Sequence, residues 1–174
     1  MASRAKRTQR KPARGGDLAL HAWALQHCRR TYRRGNWAGK GTLLAIKDLT
    51  AESAHWRPQP DQHNIAETAL HMAYWKDAVT ARLVGGKWKY SEADNWRTVP
   101  STTDGWRRAQ AELAAAQRRL VEAIRALRPA RLMDRAVGPW TWLDFIVDIA
   151  THDSYHSAQI FVLRRLYAGR NAST

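Results

Sequence analysis

The chain has 174 residues, 44% of them hydrophobic, with nine tryptophans, one cysteine and a formal net charge of +14. That is enough apolar mass for one domain with a buried core, which argues against a disordered chain. The single cysteine, Cys28, excludes an internal disulfide framework and makes the cytoplasm the expected compartment.

No run approaches the roughly 18 consecutive apolar residues of a membrane span. The basic N-terminus has no apolar stretch behind it and does not read as a secretory signal. Residues 1–16 hold Arg4, Lys6, Arg7, Arg10, Lys11 and Arg14 and no acid. They read as a disordered basic tail. Removing those six leaves 23 basic against 15 acidic residues, a body of +8. Such a field suits solubility or an anionic partner.

Four long helices are expected in residues 17–170. The first runs from Asp17 to Arg34, with Leu18, Ala22, Leu25, Cys28 and Tyr32 on one stripe. Gly35 and Asn36 stop it. A broken region follows, with a short helical piece over Thr42 to Asp48 and an extended loop at Pro58 and Pro60. The second helix begins near Asn64, where Asn64 and Glu67 have capping-box spacing. Its stripe is Ile65, Ala69, Met72, Trp75 and Val79, and Gly85-Gly86 ends it. Residues 87–102 read as a loop. The third helix spans Thr103 to Leu127, with Trp106, Leu113, Leu120, Ile124 and Leu127 on one face, and Pro129 terminates it. The fourth starts after Pro139, capped by Thr141 and Asp144, and ends by Gly169. This pattern predicts an all-α fold, an antiparallel four-helix bundle.

The last helix carries the chemistry. His152 and His156 stand four apart in His152-Asp-Ser-Tyr-His156, which places them on one helical face. Trp142, Ile149, His156 and Leu163 recur every seven residues, with Phe145, His152 and Gln159 as companions, so both imidazoles are expected to face inward. Neutral imidazoles at this spacing can grip one metal ion. The spacing is similar to the zincin H-E-x-x-H helix, with Asp153 in the glutamate position. After His156 there is no further His, Asp, Glu or Cys, so a third ligand must come from upstream. His21, His27, His55, His63 and His71 are the candidates. His71 is best placed, mid-helix beside Met72; His21 is the reserve.

The segment His63-Asn-Ile-Ala-Glu-Thr-Ala-Leu-His71-Met-Ala-Tyr-Trp75 resembles the second-helix signature of the DinB/YfiT-like superfamily. His152-Asp-Ser-Tyr-His156-Ser-Ala-Gln-Ile160 resembles its last-helix signature. Trp37-Ala-Gly39, Ala51-Glu-Ser-Ala54 and Arg57-Pro58 look like its long first connection, and the likeness covers residues 17–168. It implies a four-helix bundle with a three-histidine divalent-metal site at His71, His152 and His156. The ligand set suits zinc, nickel or iron. The family often has glycine where this chain has Ala158, which bears on local packing more than on the ligands. Superfamily members include metal-dependent thiol S-transferases and a mycothiol-dependent isomerase.

The expected function is therefore a metal-dependent enzyme, of thiol S-transferase or hydrolase type, acting on a small molecule. A low-molecular-weight thiol is the expected cosubstrate, an anionic one suiting the charge of the body. Asp148, one turn before His152, and Gln159, one turn after His156 by spacing, are candidates to hold an imidazole N–H. Tyr74 and Tyr155 are expected as core filling, Glu67 as a helix cap and Cys28 as a small buried residue. A homodimer is expected. The alternative is a non-catalytic binding protein, with a structural metal and a basic tail on nucleic acid. There Lys87-Trp88-Lys89-Tyr90 would offer bases a stacking surface.

Overall fold

A computed structural model describes residues 13–170. The described residues form seven α-helices: α1 (Gly15–Arg33), α2 (Thr42–Ala45), α3 (Ala51–His55), α4 (Ile65–Leu83), α5 (Glu92–Asn95), α6 (Thr103–Ala126) and α7 (Trp142–Gly169). Two small antiparallel pairs punctuate them, β1 (Gly35–Asn36) with β2 (Gly39–Lys40) and β3 (Arg135–Val137) with β4 (Trp140–Thr141). No helix of the described residues is long and apolar enough to cross a membrane.

Local chemistry sets the ends of the long helices. Asn64 Oδ1 accepts the Glu67 backbone N–H at 2.9 Å, and Glu67 accepts that of Asn64 in return, the capping box expected for α4. Thr141 and Asp144 do the same for α7. At the end of α1, Gly35 has φ +97°, and a Cβ there would meet the Gly39 carbonyl at 2.0 Å. Only glycine closes that turn into β1–β2.

The ends differ from expectation in three places. Helix α1 starts at Gly15, two residues before Asp17, because the Asp17 carboxylate accepts the Arg14 backbone N–H at 2.9 Å and so sits one turn inside. Most of the basic tail, residues 1–12, lies outside the described residues. The broken region holds a second short helix, α3, capped by Thr50, whose hydroxyl accepts the Ser53 N–H. The expected loop 87–102 contains α5, capped by Ser91.

Helix α4 packs on both α6 and α7, and α1 packs on both α7 and α6. The apolar core falls into two clusters. One gathers Ile46, Ile65, Met72, Trp106, Leu113 and Ile160. The other gathers Val79, Leu120, Ile124, Trp142, Ile146 and Ile149. Each long helix also buries a polar side chain: Thr31 on α1, Lys76 on α4, Gln117 on α6 and Asp153 on α7. Lys76 and Asp153 are fully buried, and Lys76 Nζ donates to both carboxylate oxygens at 2.5 Å. The ammonium also lies 5.2 Å from the Tyr32 ring centroid. Burial pushes the Asp153 carboxyl above its usual range, against the pull of Lys76.

Removing one partner of such a pair leaves an uncompensated charge in an apolar interior. Lys76→Met should therefore destabilise the protein by about 3–5 kcal/mol, read from the denaturant midpoint. The double variant K76M/D153L should recover most of that loss. A single variant as stable as the parent would refute this account of the core.

Candidate metal centre

Two capped helices supply three imidazoles. His71 projects from the middle of α4, and His152 and His156 from successive turns of α7. His152 Nε2 lies 3.2 Å from His71 Nε2 and 3.1 Å from His156 Nε2. One ligand atom from each ring falls within 4.8 Å of the others. Nitrogens held about 2.0–2.1 Å from a tetrahedral ion stand about 3.3 Å apart, so the spacing suits one cation.

The outer edges of the rings fix where the protons sit. His71 Nδ1–H donates to the Asn95 carbonyl at 3.3 Å, and His156 Nδ1–H donates to Gln159 Oε1 at 2.7 Å. Both Nε2 atoms then present lone pairs toward His152. His152 Nε2 can offer a single N–H, so at least one lone pair faces another nitrogen unless a cation sits among them. Burial also holds all three rings neutral. It lowers the His71 pKa, takes His156 to about 4 and, with the neighbouring imidazoles and Lys76 adding to it, takes His152 to about 2. A neutral, converging, lone-pair-rich donor set can hold a divalent metal ion.

Aromatic rings wall the site. Trp96 stacks flat on His71, with centroids 3.8 Å apart, and on its other face against His63 at 3.7 Å. Trp75 meets His71 and His152 edge-on. The histidines form the floor of a cleft of about 970 Å³. Its far wall is the α7 stripe of Ala158, Val162, Leu163 and Leu166. Among the described residues no Lys or Arg lines the cleft, and Asp61 is its one acid.

The other expected residues sort clearly. Gln159 reaches an imidazole as the spacing predicted. Asp148 does not: it is exposed on α7, and His152 Nδ1 is buried without a partner among the described residues. His21, the reserve, bonds the Ile124 carbonyl instead. His27 stacks on Trp23, and His55 bonds the Ala51 carbonyl. Glu67 is the helix cap and is clamped by Arg57. Tyr74 is buried and its hydroxyl accepts the Ser91 N–H. Tyr155 is not core filling: it is 61% exposed at the cleft. Cys28 is buried, its thiol pushed up to about 11 chiefly by desolvation. Trp88 and Tyr90 meet the Tyr74 ring edge-on, and Tyr90 is exposed. Trp96 and Asn95, which touch His71, were missed because residues 87–102 show no periodicity; Ser91 with Asp94 three residues on was the available capping signal.

The sign of the pH dependence follows. Unfolded imidazoles take protons near pH 6.5, whereas folded His156 resists until about pH 4. Below about 6.5 the unfolded chain binds more protons, so stability of the metal-free protein should fall with acidification across that window. Thermal melts in chelator at pH 7, 6 and 5 should show the decline, and H152Q/H156Q should flatten it. An unchanged slope in that variant would contradict the assignment.

Among known proteins, a family model described as the DinB superfamily matches residues 34–160. No curated protein and no solved structure gives a significant match. The matched stretch covers well over half of the chain and includes all three converging histidines and Gln159. The chain belongs to the DinB superfamily.

Proposed function

We propose that this chain is a divalent-metal-dependent enzyme of thiol S-transferase or hydrolase type, acting on a small molecule with an apolar body. The observation that carries it is the convergence of three neutral Nε2 atoms on the floor of an open cleft. Three nitrogens leave a coordination position for an incoming molecule. A divalent ion there, zinc, nickel or iron, lowers the pKa of a thiol or water and polarises a carbonyl.

The chain's own groups do the rest. Asn95 and Gln159 keep the imidazole protons on Nδ1, so Nε2 stays free. Trp75 and Trp96 exclude water from one side of the floor and give an apolar or aromatic group a flat contact. From His156 to Leu166 the α7 wall rises about 15 Å at 1.5 Å per residue. An elongated apolar substrate can lie along it with its reactive end at the histidines. Among the described residues no Lys or Arg lines this cleft, so a neutral thiol fits it better than an anionic one. We also propose that the four long helices form the antiparallel bundle; the closed sequence of pairings α1–α7–α4–α6–α1 supports it.

Protein purified with supplied zinc, nickel or iron should retain about one ion per chain. His152→Ala should lower metal content and melting temperature together. Content below about 0.2 per chain would refute the metal reading. For the reaction, apolar electrophiles and esters should be screened with neutral and carboxylated thiols, with and without metal. Metal-dependent turnover should appear with the neutral thiols or with water. Turnover undiminished in His152→Ala would refute the catalytic role.

A further inference from the structure

On the opposite seam of the molecule from the histidines, α1 and α6 enclose a second cleft of about 360 Å³. Its walls carry four arginines, Arg29 and Arg33 from α1 and Arg118 and Arg125 from α6. Arg125 is paired with Glu122, the one acid that lines the cleft among the described residues. The other three make no hydrogen bond or ion pair among the described residues, although Arg29 is half-buried. Arg29 and Arg33 stand four apart, as do Arg30 and Arg34 beside them, and like charges at that spacing repel. Arg29 and Arg33 also line a neighbouring groove with Arg30 and Arg34, so the field is concentrated here.

The floor is polar and unsatisfied. Tyr32 and Gln117 both line the cleft and are each 5% exposed, yet the Tyr32 hydroxyl and Gln117 Oε1 have no partner among the described residues. Burial pushes the Tyr32 phenol up to about 12, so it is an O–H donor at neutral pH. Rotating the Gln117 amide by half a turn would point its NH₂ into the cleft, with its oxygen toward the Cys28 thiol now 3.9 Å from Nε2. A buried polar group without a partner costs free energy. Guanidinium walls over a donor floor match an anion with several oxygens. Leu43, Ala114 and Val121 at the same cleft offer contact to an apolar portion of that ligand.

We infer that the α1–α6 seam binds a compact polyvalent anion of the di- or triphosphate class. The site is independent of the metal reading, since none of its residues touches the three histidines.

Titration calorimetry on metal-free, full-length protein tests it, with pyrophosphate and tripolyphosphate as probes, so that binding to a metal contributes nothing. One equivalent should bind, and affinity should fall as salt rises. R29Q/R33Q/R118Q should weaken it by about tenfold or more. R107Q/R108Q/R135Q removes the same charge from exposed positions elsewhere and should change it by less than about twofold. Circular dichroism should show both variants folded, as these side chains lie outside the apolar clusters. Absence of binding, or equal losses in the two variants, would overturn the site. So would binding of a single-stranded oligonucleotide with none of either phosphate, because the seam would then be an extended backbone-tracking surface.

Discussion

The ammonium of Lys76 and the carboxylate of Asp153 meet in the dry centre of the protein, and the placement of the site depends on that meeting. An ion pair without solvent tolerates little misalignment, because each charge has only the other to replace its lost hydration. The pair ties α4 to α7 at a single height. His71 lies just over one turn from Lys76, and His152 and His156 flank Asp153. The contact that fixes the register of the two helices therefore also sets where their imidazoles meet. An apolar core would have let the helices slide by a turn at less cost.

The imidazoles are oriented from outside in. A backbone carbonyl at the end of α5 holds one Nδ1–H and a side-chain amide on α7 holds another, and the indole of Trp96 presses on the face of His71. These contacts come from two stretches of chain, yet all push lone pairs to the same point. The charge of the protein is arranged with equal separation. Among the described residues the cleft above the histidines is lined by no Lys or Arg, while Arg29, Arg33 and Arg118 line the α1–α6 seam without a side-chain partner.

Much of this was legible in the sequence. His71, His152 and His156 stood on or beside apolar stripes of helical period, and a four-residue spacing guarantees proximity on a helix. Gln159 followed from the same arithmetic. Asp148 obeyed it equally well and failed, because its side chain points to water: spacing along one helix does not say which edge of a ring it serves. Lys76 and Asp153 were hidden by their chemistry. Both occupy core positions, with Met72 and Val79 on one side and Ile149 and Ile160 on the other, but a charge at such a position reads as surface until its partner on another helix is known. Asn95 ends a four-residue helix and Trp96 follows it directly, an element too short to leave a period.

The stack of His63, Trp96 and His71 bears on time rather than position. With an indole pressed on its face and a carbonyl on its edge, the ring of His71 cannot swing aside until the segment after α4 peels away. Opening that segment means parting Trp96 from two imidazoles and freeing the Asn95 carbonyl. The residence time of a captured ion would then follow the rate of that opening, so two variants of equal affinity can differ widely in how fast they exchange.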